Sequence, residues 1–260
     1  MTDIKANQQW QAPLLGQHLL SGRKKLVDLT RPLYEGMPMW FGHPQTTITV
    51  TQTHEEFKEK YGTDDGFYAR SLSISEHAGT HTDAVLEYDP DGKPLDQTPL
   101  SYFYGPAVCL DFSHVTFDPS AEYGSTGYAN VEDVKIAEEK LAGAGEAIRE
   151  GDIVLAWFDY GDRWFPEKKF IEENPGFSWE GAEYLAQKGI VNLGTDCTAI
   201  DNSLDVKFSG HMVCKKYGIV NTENMTNLGQ LASSRFEFYG LPLNLLGGTG
   251  SPIRAVAVLD

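Results

Sequence analysis

The chain has 260 residues, 41% of them hydrophobic, enough to build a substantial core in one large domain or two small ones. Its formal net charge of -16 opposes nucleic acid phosphates and anionic membranes, while leaving room for local basic sites. Three cysteines without a C-x-x-C spacing make a poor disulfide framework, and neither a signal-peptide pattern nor a membrane-length apolar run is present, so a cytoplasmic protein is expected.

Residues 1–25 are polar and weakly patterned and read as an N-terminal arm ahead of a single α/β domain over 26–260. KKLVDLT predicts a strand, and the prolines and glycines of RPLYEGMPMWFGHP predict a shaped loop. TTITVTQTH alternates β-branched residues and predicts a second strand, followed by a charged excursion, EEFKEKYGTDDGF, with a helical turn and a loop. ARSLSIS predicts a strand with Leu72 and Ile74 on one face. GPAVCLDFS and GDIVLAWFD predict strands on either side of the helical VEDVKIAEEKLAGAGEAI. SWEGAEYLAQKG has a helix start at Ser178 and a glycine stop, and IVNLGTD follows as a strand. VKFSGHMVCKKYG predicts a helix, IVNTENM a strand and IRAVAVL a last strand. Strands and helices mix without a strict βαβ rhythm.

SEHAGTHTDA, residues 75–84, gathers His77, His81 and Asp83 around an Ala-Gly-Thr spacer. Neutral imidazoles beside an ionised carboxylate suit Mn²⁺ or Zn²⁺. Gly79, with no Cβ, lets the backbone bend tightly or approach the site. The bland alternative is a strand-end loop whose polar groups cap the backbone. His18, His54 and His114 lack such company and read as ordinary surface or hydrogen-bonding histidines. Downstream, His211 falls on a predicted helix and Glu223 near the end of a predicted strand, where a carboxylate can enter a cleft. Spacing alone does not join these two to the first segment.

These residues resemble the metal-dependent cyclase-like hydrolase family, which includes bacterial kynurenine formamidases and isatin hydrolases. The family segment H-x-G-T-H-x-D-x-P-x-H is matched at His77, Gly79, Thr80, His81 and Asp83, whereas Val85 and Glu87 replace its proline and last histidine. DLTRPLYEGMPMWFG, GTDCTAIDN, the interval from His211 to Glu223 with NMTNL, and GGTGSPIRAVAVL resemble its other segments. The resemblance implies a swivelling β/β/α cyclase-like fold, with His77, His81 and Asp83 as core metal ligands. It also implies that His211 and Glu223 line the same cleft, holding a second ion or orienting substrate and water. A homodimer or homotetramer acting on a small carbonyl substrate, cyclic or aromatic, is implied in the same way, with no nucleic acid or membrane partner.

Glu87 is where the pattern departs. It can ligate as an anionic oxygen, which favours Mn²⁺ over Zn²⁺, act as an acid or base, or face solvent in the polar LEYDPDGKP loop. Trp40, Phe41 and His43 sit in the region that encloses substrate in the resembling enzymes, and His43 could equally meet a neighbouring subunit. Trp157, Phe158, Tyr160, Trp164 and Phe165 form a second aromatic concentration, to be divided between core and pocket. Asp196 and Asp201 are expected to brace loop backbone, and Cys197 to be a buried structural thiol or pocket wall rather than a nucleophile. The leading expectation is hydrolysis of a small cyclic amide, lactone or N-acyl compound by metal-activated water, with His211, Glu223 or Glu87 moving protons. Two alternatives stay open: a metal-dependent cyclase, isomerase or lyase, and a catalytically inactive metal- or small-molecule-binding protein.

Overall fold

The computed structural model describes residues 19–20, 24–118, 120 and 126–259. The chain begins with β1 (Leu19–Leu20), β2 (Lys24–Asp28), β3 (Thr47–Gln52), α1 (His54–Tyr61), β4 (Ala69–Ser73) and β5 (His81–Asp83). Then come β6 (Tyr104–Asp111), β7 (Tyr128–Ala129), α2 (Val131–Gly143), β8 (Ile153–Trp157), α3 (Gly161–Trp164) and α4 (Lys169–Glu172). The last part runs β9 (Gly176–Phe177), α5 (Trp179–Ala186), β10 (Asn192–Thr195), α6 (Ser209–Tyr217), β11 (Val220–Glu223), β12 (Ser234–Tyr239), β13 (Gly250–Pro252) and β14 (Val256–Leu259).

Ten strands form one mixed sheet, in the order β1-β2-β14-β12-β6-β8-β10-β11-β5-β13. Its middle, β6-β8-β10-β11, is parallel, and both flanks are antiparallel. Parallel strands are covered on both faces and so read as continuous apolar runs, as IVLAW does. Alternation splits that run: Val154 and Ala156 join the core under α2, α5 and α6, whereas Ile153 and Leu155 pack on the other face with Val27, Leu29, Phe236 and Phe238.

The helices start where short polar side chains reach back to free amides. Asn130 caps α2 in a capping box with Asp133, and Ser178 caps α5. Two expected helices are shorter than their patterns. α2 ends at Gly143, and Gly145 has φ +84°, so AGEAI leaves the helix. α6 begins only at Ser209, because Phe208 adopts a left-handed conformation. The expected strand ARSLSIS forms β4, which pairs with β3 in a separate two-stranded sheet and leaves Leu72 52% exposed. β12 was not anticipated, although SRFEFY buries Phe236 and Phe238 in alternation. The expected arm over residues 1–25 lies mostly outside the described residues, and its boundary falls inside β2.

Candidate metal centre

Strand register builds the site. β5 and β11 run antiparallel with His81 opposite Glu223 and Asp83 opposite Asn221. Period-two alternation puts these four side chains on one face. Thr82 and Thr222 point to the other, where their hydroxyls meet at 3.3 Å. The turn before β5 delivers His77. Gly79 in that turn has φ +63°, which favours glycine, and a Cβ there would lie 2.7 Å from Leu33 Cδ2 and push that side chain aside. His211 arrives from the first turn of α6. Asp201 accepts the amide N–H groups of Gly210 and His211 and the His211 Nδ1–H, which fixes the ring against the helix start.

Two donor sets result. Ligand atoms of His77, His81 and Asp83 lie within 4.8 Å of one another, as do those of Asp83, His211 and Glu223. Asp83 belongs to both. Asn221 Nδ2 donates to Asp83 Oδ2 at 2.7 Å and to Glu223 Oε1 at 3.0 Å, holding the two carboxylates in place. Asn221 was not among the expected site residues. The signal for it is its position two residues before Glu223 in a strand.

Hydrogen bonds also show what this cluster wants. His81 Nδ1–H donates to the Gly79 carbonyl at 2.8 Å, so Nε2 turns a lone pair toward Asp83 Oδ1 at 3.3 Å and Glu223 Oε2 at 3.6 Å. Burial, outweighing Asp83, keeps the His81 pKa below its ordinary value, so a proton is a poor mediator there. A divalent cation satisfies the lone pair and both carboxylates together, and the residues fit one.

The remaining titrations tell the same story. Burial, then the charge of Asp83, pushes the Glu223 carboxyl well above the carboxylate range. Burial also opposes charge on His77, but its 2.6 Å bond to Asp83 and the charges of Asp83, Glu87 and Glu223 lift it to about 9. Burial likewise opposes ionisation of Asp83, and His81, His77 and His211 overcome it, bringing Asp83 to about 2. His211 is desolvated too, yet Asp201 raises it well above a free histidine. Burial and Asp83 raise Glu87 to about 7, and its Oε1 lies 3.5 Å from His77 Nδ1.

His77, His81, His211 and Glu223 line a cavity of about 360 Å³, together with Met39, Trp40, Val206, Phe208, Met212, Glu87 and His43, while Asp83 lies buried behind them. His43 Nδ1 is 3.1 Å from Ser75 Oγ, and its ring packs 5.2 Å from that of His77. Of the expected substrate-contacting residues, Phe41 departs: it is 65% exposed and outside the cavity lining, tilted against Trp40 on its outer side. Tyr88 was missed; it packs edge-on against His211 while its hydroxyl donates to the Ile219 carbonyl. The Trp157–Phe165 concentration lies away from the cavity, with Phe158, Tyr160 and Phe165 buried in the core. Asp196 accepts amides of Phe158, Tyr160 and Gly161, and Cys197 is a fully buried free thiol. No helix among the described residues is long and apolar enough to cross a membrane.

The model of a family described as putative cyclase matches residues 27–202. A kynurenine formamidase of Bacillus cereus is 27% identical over 230 residues, covering 88% of this chain and 95% of its own. One from Salinibacter ruber is 28% identical over 233 residues, covering 89% and 96%. An isatin hydrolase bound to the product analogue thioisatinate superposes with a TM-score of 0.77 at 24% identity, over 92% of this chain and 94% of that one. Isatin hydrolase A from Labrenzia aggregata, bound to benzyl benzoate, gives 0.73 at 23% identity, over 92% and 95%. At these identities the two structures speak for the fold alone.

Proposed function

Because the chain belongs to the putative cyclase family, we propose that it is a metal-dependent hydrolase that opens the C–N bond of a small amide, either cyclic or N-acyl, on an aryl group. The observation carrying this reading is the pair of donor sets sharing the buried Asp83, with His77, His81, His211 and Glu223 lining an apolar-walled cavity of about 360 Å³. That volume suits one aromatic ring with its amide. His77, His81 and Asp83 would hold the cation, with His211 and Glu223 as the second donor set. Three carboxylates around the site, Asp83, Glu87 and Glu223, favour Mn²⁺ over Zn²⁺.

When bound, the cation supplies Lewis acidity toward the scissile carbonyl and acidifies water. The chain's own residues do the rest. Trp40 and Met212 flank an aryl group and exclude bulk water. Glu87, titrating near 7 in the cation-free site, takes a proton on its carboxylate and returns it to the departing nitrogen. Asn221 keeps Asp83 and Glu223 from turning away. Asp201 aims His211 at the cavity. A homodimer or homotetramer accompanies this reading. It is supported by the exposed apolar side chains of the β3–α1–β4 excursion, Tyr61, Phe67 and Leu72.

The test is turnover of a panel of aryl formamides, cyclic aryl amides and aryl lactones by the Mn²⁺-loaded and the chelated protein. Cation-dependent amide opening is expected. Lactone opening with inert amides would reassign the bond, and no turnover with tight cation binding would favour a binding protein.

A further inference from the structure

The segment Gly248–Pro252, which runs into β13, makes contacts that the cation set does not explain by itself. The Glu76 Oε2 carboxylate oxygen accepts the Thr249 amide at 2.8 Å, the Thr249 hydroxyl at 2.7 Å and the Gly250 amide at 3.3 Å. Two of these donors are backbone N–H groups, so the oxygen can only be accepting. The Thr249 hydroxyl proton is therefore committed to Glu76, and its oxygen lone pairs face outward. The group facing them, 3.1 Å away, is His77 Nε2. That nitrogen must carry a proton, so the nitrogen available to a cation is Nδ1, which faces Asp83 Oδ1 at 2.6 Å and Glu87 Oε1 at 3.5 Å and gives up its own proton on ligation.

Gly250 adds a second, independent contact. A Cβ there would lie 2.6 Å from His77 Cε1, 2.8 Å from His77 Nδ1 and 3.0 Å from Asp83 Oδ1. The backbone is laid flat against the edge of the imidazole that faces the cluster. The Thr249 carbonyl accepts the Ala84 amide at 2.8 Å, which anchors the loop to the chain just beyond Asp83.

We propose that Glu76, Thr249 and Gly250 form a clamp that sets the ring orientation and tautomer of His77, making Nδ1 its ligating nitrogen. His81 is held the opposite way, by Nδ1, and presents Nε2. The two imidazoles thus present different nitrogens to Asp83, His77 from a turn and His81 from a strand. Glu76 and Thr249 are positioning residues. This inference rests on the metal reading above.

Thr249→Val removes the hydroxyl at constant volume, and Thr249→Ser keeps it. Both are compared with wild type by calorimetric titration with Zn²⁺, and ring ¹⁵N spectra are recorded on the Zn²⁺-loaded wild type. Thr249→Val should bind Zn²⁺ about ten- to a hundredfold more weakly, Thr249→Ser within about twofold, and His77 should show a protonated Nε2. Equal Zn²⁺ affinity in a folded Thr249→Val protein overturns the clamp, as does a His77 proton on Nδ1 in the loaded wild type. If Thr249→Val does not fold, the wild-type spectrum decides alone. Wild type that takes up no Zn²⁺ overturns the metal reading and the clamp with it, whereas a clamp failure leaves wild-type binding intact.

Discussion

The β5–β11 pair and the β3–α1–β4 excursion treat charge in opposite ways. On β5 and β11 every residue is buried, and three of the seven are titratable: His81, Asp83 and Glu223. In the excursion no residue of β4 or α1 is buried, and the apolar Leu72, Phe67 and Tyr61 face outward. A folded chain normally does the reverse, because each buried ion needs a partner to offset its lost hydration. The strand pair therefore stores unfavourable electrostatics that a cation relieves. The excursion leaves apolar area that a second subunit would cover.

The largest expected effect tests whether the carboxylates in the strong-field region have separate roles. Glu87→Gln should keep the cation and lower turnover by roughly 10²–10⁴-fold, with loss of one limb of the pH–rate profile. Cation loss together with activity would make Glu87 a ligand, and normal turnover would place it outside the chemistry.

Cation affinity should depend steeply on pH, since ligation must displace the proton that His77 holds up to about 9 in the cation-free site. Below that value, apparent affinity should fall about tenfold per pH unit, measured by titration with Mn²⁺ between pH 6 and 9. The sign for stability is opposite. The raised His77 pKa stabilises the cation-free protein fully below about 6.5, and that contribution is lost as pH rises through about 9. A flat affinity profile would exclude the His77–Asp83 ion pair as the resting state.

Glu223→Gln sharpens the same contrast at smaller amplitude. Because burial and Asp83 hold the Glu223 pKa well above its ordinary value, its ionised form weakens the fold increasingly as pH rises. The neutral amide should therefore raise the melting temperature of the cation-free protein at pH 8 by a few degrees while weakening cation binding. A lower melting temperature would show that the hydrogen bonds from Asn221 and Ile200 and the nearby His211 already offset that cost. In the excursion, Leu72→Ser should change monomer stability by only about ±0.5 kcal/mol. If the exposed face is a subunit contact, the same variant should shift native mass toward monomer.

Much of the strand pair was legible because its residues are clustered in sequence. His77, His81 and Asp83 fall within seven positions, so a turn plus a short strand is enough to bring them near one another, while partners from β11 and from Thr249–Gly250 set their final orientation. The buried parallel strands were legible for a similar reason, since apolar runs such as IVLAW have few other destinations. What joins Glu223 to His81 is a cross-strand register, which spacing does not encode and which the family resemblance had to supply. Asn221 could have been inferred from its period-two relation to Glu223, but amides in strands carry weak chemical signals. The middle aromatics were undecidable between core and pocket, because both environments select the same side chains; packing put Phe158 and Phe165 in the core. Phe41 follows Trp40 directly, and neighbouring side chains in that turn diverge, so one lines the cavity and the other faces out.

The central claim is that a divalent cation belongs between His81, Asp83 and the carboxylates around them. Its most direct test is anomalous diffraction from crystals of wild-type and His81→Ala protein grown with Mn²⁺. Wild type should give a strong peak within ligating distance of His81 Nε2 and Asp83, and His81→Ala should lose most of it while keeping the fold. A wild-type map with no peak at this cluster, or an undiminished peak in a folded His81→Ala protein, would contradict the account.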